Sequence, residues 1–283
     1  MGMRWTDGKC EKTVIEIADG SLIHVESWGR GRPAIVLLHG WSMSSAFWVK
    51  QKAALSDAFT VIAVDLRAHG HSSKALQGHT VPQYARDVRA VLESLHITGA
   101  TLAGWSMAGP VVLDYWRAYG DDRVSALALV EMTPFPLSPE PWNTHALKGH
   151  NMEGLNTAMI SLQEDRVAYG RRFIGNMFHD GVGTPEDQEW MLKEYLKTPT
   201  AQAVAAYSDY VMRDYTGVLK DITVPVLVAN GRSEYLCFGP KTGRYVADTL
   251  PKGRLVIYEG SGHMPFYETS EAFNKDLASL ARP

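Results

Sequence analysis

Cysteine is scarce in this chain. The 283 residues hold only Cys10 and Cys237, too few and too far apart for a disulfide framework, so two ordinary thiols are expected. Long apolar runs are also missing. No stretch approaches the roughly 18 apolar residues that a membrane span requires, and Met1 to Lys12 lacks the apolar h-region of a secretion signal. Met1-Gly2 with Thr6 meets a loose acylation pattern, but nothing else nearby is directed at a membrane. Neither sign of charge is in excess. The net charge is −3 and the isoelectric point near 6.4. Lysine and arginine are scattered, so no basic stripe suits nucleic acid and no charge run forms a tail. No His-x-His or His-x-x-x-His pair has acidic neighbours, which argues against a metal site. Repeats and low-complexity tracts are missing too. These absences leave a cytoplasmic protein with no cofactor, no metal, no nucleic acid and no membrane. Its expected partner is a small-molecule substrate, and a homo-oligomer stays open.

Apolar residues make up 45% of the chain, enough for a large α/β core with or without an insertion. Thr13 to Ala18 and Leu22 to Trp28 alternate apolar and polar residues around Asp19-Gly20, a hairpin signal. Ala34 to Leu38, Thr60 to Val64, Gly99 to Ala103, Val124 to Val130, Val224 to Ala229 and Leu255 to Tyr258 are short, nearly unbroken apolar runs. Strands of that kind are buried on both faces, as in a parallel sheet. Helical spacing occupies Ala46 to Leu55, Val81 to Leu95, Pro110 to Ala118, Gly239 to Leu250 and Glu271 to Leu280. The pattern predicts an α/β fold: a mostly parallel sheet of about eight strands, covered by helices on both faces. Between Pro134 and Asp221 the pattern changes. Prolines 134, 136, 139 and 141 interrupt the chain, and only helical spacing follows. Residues 134–221 therefore read as a helical cap inserted into a core formed by 1–133 and 222–283.

Leu102-Ala103-Gly104-Trp105-Ser106-Met107-Ala108-Gly109 joins a strand to a helix. A serine at such a sharp turn is a nucleophile elbow, and the residues two before and two after it must be small. Gly104 and Ala108 satisfy this, although the usual pattern has glycine at both places. A serine hydroxyl needs a base to take its proton. His263, in the glycine-flanked loop Gly260-Ser261-Gly262-His263 after the last strand, is the best placed histidine.

Together these stretches resemble the α/β-hydrolase family over nearly the whole chain outside the helical insertion. His39-Gly40-Trp41 follows the third strand, where the family builds part of its oxyanion hole. Asp65-Leu66-Arg67-Ala68-His69-Gly70-His71-Ser72 is similar to the family's Asp-x-Arg-Gly-x-Gly-x-Ser turn, with Ala68 for the first glycine. The elbow and the late Gly-x-Gly-His loop follow in order. The resemblance implies Ser106 as nucleophile and His263 as base. It implies the backbone N–H groups of Trp41 and Met107 as oxyanion donors, with His39 structural. His69 and His71 read as structural or solvated.

The carboxylate that orients His263 has two candidates. Gly231-Arg232-Ser233-Glu234-Tyr235-Leu236 resembles the family's usual acid loop, with Glu234 in the aspartate position. Glu131, just after the strand Val124 to Val130, stands where haloalkane dehalogenases and a few other members use a glutamate. Spacing favours Glu234, with Glu131 the alternative. Trp41, Trp105 and Met107 are expected to line the substrate site. Phe135, Trp142, Met159, Phe173, Met177 and Phe178 would come from the cap, giving a largely apolar bound group. The resemblance implies a serine hydrolase that cleaves a carboxylic ester or lactone through an acyl-enzyme. The alternatives are carbon–carbon bond hydrolysis, cofactor-free perhydrolysis or haloperoxidation on the same triad, and a ligand receptor on this scaffold. A haloalkane dehalogenase would need aspartate in place of Ser106.

Overall fold

The computed structural model describes residues 3–6, 10–149 and 152–282, the first of these by backbone alone. Nine strands form one sheet: β1 (Met3–Thr6), β2 (Cys10–Glu16), β3 (Leu22–Trp28), β4 (Ala34–Leu38), β5 (Thr60–Val64), β6 (Ala100–Trp105), β7 (Val124–Val130), β8 (Val226–Gly231) and β9 (Gly253–Tyr258). Their order is β1-β2-β3-β5-β4-β6-β7-β8-β9. The opening strands pair antiparallel, and β3 joins β5 antiparallel. From β5 to β9 every pairing is parallel. The apolar runs explain this arrangement. Every residue of β4, β6 and β8 is buried, which only a strand covered on both faces requires. The sheet has one strand more than the pattern predicts, because β1 adds to its antiparallel edge.

The helices α1 (Val49–Leu55), α2 (Val81–Ser94), α3 (Ala108–Tyr119), α4 (Met152–Glu164), α5 (Arg166–Met177), α6 (Pro185–Tyr195), α7 (Thr200–Met212), α8 (Gly239–Thr249), α9 (Pro265–Glu268) and α10 (Ser270–Ala281) complete the elements. Among the core helices, α1, α9 and α10 pack together, and α2 packs with α3. Local chemistry sets their starts. The Thr80 side chain accepts from the Gln83 N–H at the head of α2, with Pro82 in its first turn. Asp165 caps α5 in the same way through the Ala168 N–H. The expected helix from Ala46 starts instead as a 3₁₀ turn over Ser45–Trp48 and becomes α1 at Val49.

Helices α4 to α7 all lie between β7 and β8 in the chain, and no strand occurs among the described residues of 134–221. They pack α4 on α5 and α7, and α5 on α6. The strand order also locates a crevice. The chain leaves β4 toward β5 on one side and returns to β6 on the other. Ligands of open α/β sheets bind at such a switch point, beyond the carboxyl ends of the strands. The turns after β4 and β6 carry Trp41 and Ser106. A cleft of about 1230 Å³ lies at the opposite end, around Trp28, Pro33 and Leu95, away from these turns.

Candidate active site

Ser106 follows β6 with φ at +56°, a left-handed conformation in a residue other than glycine. Such strain costs about 1–3 kcal/mol and persists only where its surroundings enforce it. Two backbone bonds enforce it here. The Ser106 N–H donates to the Val130 carbonyl at 2.9 Å, and its own carbonyl accepts from the Gly109 N–H at 2.8 Å. A Cβ at residue 104 would stand 2.3 Å from the Ala108 carbonyl oxygen. Glycine is thus compulsory at 104, whereas the methyl of Ala108 fits. Gly109 is needed as well, since a Cβ there would meet Met132 at 2.6 Å. Ser106 stays partly exposed while Trp105 and Met107 beside it are buried.

The turn after β4 approaches the elbow closely: a Cβ on Gly40 would lie 3.1 Å from the Cβ of Ser106. His39 supports this turn. Its Nδ1 faces the Gly40 carbonyl at 2.8 Å, and its Nε2 accepts from the Leu66 N–H at 3.0 Å. A carbonyl can only accept and an amide N–H can only donate, so the ring is neutral with its proton on Nδ1. Burial also lowers its pKa. His39 is therefore a strut. Met107 is the N-cap residue of α3, where helix starts leave N–H groups without intrahelical partners. The turn that carries Trp41 and the helix start at Met107 thus meet at Ser106.

His263 enters from the loop after β9. Its N–H donates to the Met177 carbonyl at 2.8 Å, and its carbonyl accepts from Trp105 Nε1 at 2.8 Å. The Trp105 and Phe238 rings stand 5.5 and 5.4 Å from the imidazole. Gly262 is required because a Cβ would come within 2.6 Å of the Met177 carbonyl. Trp105, expected to line the substrate site, is only 1% exposed and packs on Phe47 and Phe266. This corrects its role: the strand directs its indole into the core, where it holds the histidine loop.

The structure brings Glu131, and not Glu234, to His263. Glu131 Oε2 lies 3.2 Å from His263 Nδ1, and its side chain is fully buried. The same oxygen accepts from the Phe238 N–H at 2.7 Å. Oε1 accepts from the Gly231 N–H at 2.9 Å, Asn230 Nδ2 at 3.1 Å, the Gly239 N–H at 3.2 Å and Cys237 Sγ at 3.3 Å. Burial alone would raise the Glu131 pKa. The His263 hydrogen bond and charge, with the Phe238 and Gly231 N–H groups, outweigh it and hold the carboxyl below its ordinary value. An ionised Glu131 can only accept, which places the His263 proton on Nδ1 and leaves Nε2 as the acceptor.

Glu234, favoured by spacing, is exposed. The cause lies just before it. The end of β8 is pressed onto the histidine loop, so closely that a Cβ on Gly231 would be 2.1 Å from the Gly262 carbonyl. The Arg232 N–H donates to the Ser261 carbonyl, 2.6 Å away. Beyond that clamp the chain turns toward α5, where the Leu236 N–H donates to the Asn176 carbonyl at 3.0 Å. The loop that was expected to supply the acid supplies the donors that hold it. Asn230 and Cys237 were not legible as site residues. The only trace of them in the sequence is a polar side chain closing an apolar strand.

Among the residues expected from the insertion, Trp142 stacks on Tyr245 of α8 at 4.1 Å instead. Phe173 lies against Trp41 at 5.4 Å, joined there by Tyr169, Tyr195 and Tyr207. Among the described residues no group of acidic, histidine and cysteine side chains could hold a metal ion, and no helix is long and apolar enough to cross a membrane.

Comparison with known proteins gives the same frame. The model of the alpha/beta hydrolase fold family matches residues 33–270. The chain is 31% identical to the bifunctional esterase/perhydrolase DCH of Acinetobacter calcoaceticus over 93% of its length and 97% of that protein. It is 27% identical to the non-heme chloroperoxidase CPO-A1 of Kitasatospora aureofaciens, over 92% of this chain and 95% of that one. Among solved structures, the esterase EaEST of Exiguobacterium antarcticum superposes with a TM-score of 0.86 at 26% identity, covering 95% of this chain and 99% of its own. With its left-handed serine, its late histidine and its family match running through both, the chain belongs to the α/β-hydrolase family.

Proposed function

We propose that the protein is a serine hydrolase of carboxylic esters or lactones, with Ser106, His263 and Glu131 as its triad. The observation that carries this reading is the buried Glu131–His263 pair, whose free imidazole nitrogen belongs to a ring held beside the elbow tryptophan. In the first half-reaction Ser106 Oγ attacks the carbonyl carbon while His263 Nε2 takes its proton. The oxygen that becomes negative is met by the Met107 and Trp41 N–H groups, each typically worth about 3 kcal/mol. His263 then protonates the leaving alcohol. Water attacks the acyl-enzyme with its proton passing to His263, and Ser106 is regenerated. Glu131 keeps the ring in the required tautomer and stabilises its charged form.

Residues 134–221 act as a cap in this reading. Helices α5 to α7 set four aromatic rings against Trp41, which suits a largely apolar acyl group. The relatives named perhydrolase and chloroperoxidase favour one second reading: hydrogen peroxide replaces water at the acyl-enzyme and leaves as the peracid.

The test is turnover of p-nitrophenyl esters by the purified protein. Ser106→Ala should cut kcat by roughly 10⁴-fold or more with the fold intact, and a phosphonate should label Ser106 alone. Near-normal turnover by the alanine variant would refute the assignment. Peracid formed from acetate and peroxide would identify the second reading.

A further inference from the structure

Arg166 is oddly placed for a helix residue. It opens α5, where a cation opposes the helix dipole, and burial lowers its pKa. Its guanidinium instead turns away from α5. Nη2 lies 3.4 Å from both the Tyr195 and Thr198 carbonyls, around the end of α6, where a cation is favoured. Nη1 donates to the Tyr195 hydroxyl. The guanidinium carbon sits 3.8 Å from the Tyr195 ring centre and 5.5 Å from that of Trp41. Its remaining bond reaches the core: Nη2 donates to Ser42 Oγ at 3.0 Å. Ser42 is buried and left-handed, with φ at +59°, and directly follows the candidate oxyanion donor Trp41.

Two further bonds tie the same turn to the inserted helices. Trp41 Nε1 donates to the Ala203 carbonyl at 2.8 Å, and Ser44 Oγ donates to Glu194 Oε2 at 2.5 Å. The turn after β4 is therefore fastened to α5, α6 and α7 at three points, through Ser42, Ser44 and Trp41 respectively. We propose that Arg166 is a positioning residue that holds Ser42 in its left-handed conformation and so aims the Trp41 N–H at the reacting oxygen. The inserted helices thereby preorganise the oxyanion hole, in addition to covering it. The inference rests on the hydrolase reading. Its physical basis is that a donor must already be in place when charge develops, and that a shift of about 1 Å can cost 10²-fold in rate.

The experiment measures kcat and KM on p-nitrophenyl acetate for Arg166→Met, Ser42→Ala and the double variant. Methionine keeps an apolar stem over Trp41 and Tyr195 but has no N–H. Each single variant should lose about 10- to 100-fold in kcat, with KM within about twofold of wild type, the pattern of an interaction made only in the transition state. The double variant should be no worse than the poorer single one, because both cut one bond. Arg166→Lys should recover part of the loss. A loss confined to KM, unchanged kcat, or losses that multiply would overturn the proposal. If Arg166→Met does not fold, Ser42→Ala decides alone, and unchanged kcat overturns it. Phosphonate labelling of wild-type Ser106 separates the two ideas. Wild type that neither turns over nor is labelled ends both, whereas an active wild type with insensitive variants ends only the role of Arg166.

Discussion

A carboxylate orients an imidazole firmly when other donors fix it in place, and Glu131 is held by Gly231, Phe238, Gly239, Asn230 and Cys237. Glu131→Gln would turn an amide NH₂ toward N–H donors, and each such clash costs about 1–3 kcal/mol in a buried site. Under conditions where it stays folded, it should lose on the order of 10⁴ in turnover. Glu234→Gln, on the exposed loop, should change activity less than about threefold, within the range of a surface substitution. Equal losses in the two variants would contradict the geometry. The places of Ser106 and His263 in the fold were legible because small residues must surround them, and glycine is visible in a sequence. The carboxylate beside His263 was not. Spacing gives the position of Glu234 along the chain, but the direction of its side chain depends on the Gly231–Gly262 contact, which joins a strand end to a distant loop and leaves no local pattern.

Among the elements, the strands were the most legible, since burial on both faces writes itself as an unbroken apolar run. β4, β5 and β7 fall at the expected boundaries, while β9 starts earlier, at Gly253, because half-buried Gly253 and exposed Arg254 carry no apolar signal. The join between β6 and α3 carries the strictest demand. Gly104→Ala would set a methyl against the Ala108 carbonyl, a backbone atom that cannot rotate away. It should cost about 1–3 kcal/mol, the range for overpacking, and misplace Ser106. Urea unfolding and ester turnover on the same sample would check both effects, and a variant with wild-type stability would mean that the turn has room to relax. The arrangement of α4 to α7 was not legible, because a helical pattern gives the apolar face but not its neighbour.

For the molecule as a whole, two fully buried carboxylates, Glu131 and Asp65, contribute to acid stability. Burial would raise both, yet hydrogen bonds and neighbouring histidines reverse the sign: those described for Glu131, and for Asp65 first the His24 hydrogen bond, then the electrostatics of His39 and His24 and the His71 N–H. Both are thus held below their ordinary values of 4.5 and 3.8. The unfolded chain takes up these protons at higher pH than the folded one. Their contribution is complete above about pH 5 and disappears as pH falls through the folded values. Burial also lowers the pKa of His39, His69 and His79, so the unfolded chain takes up their protons first as well. The urea midpoint should therefore begin to fall below about pH 6.5 and fall steeply below about 5, the steep part less so in Glu131→Gln. A midpoint independent of pH down to 3 would contradict this. The whole-molecule architecture was legible because alternating strands and helices admit few arrangements, although the extra edge strand β1 was not.

Glu131 has one more consequence. It precedes the inserted segment and Gly231 follows it, 100 residues later. The carboxylate therefore laces shut the neck of a very long loop, together with the Glu131 N–H bond to the Ala229 carbonyl at 2.8 Å. Loop-closure entropy grows only with the logarithm of length, so a neck fastened in this way tolerates segments of very different size between its ends. Whatever is grafted between residues 134 and 221 arrives at a doorway whose frame already holds the carboxylate that touches His263.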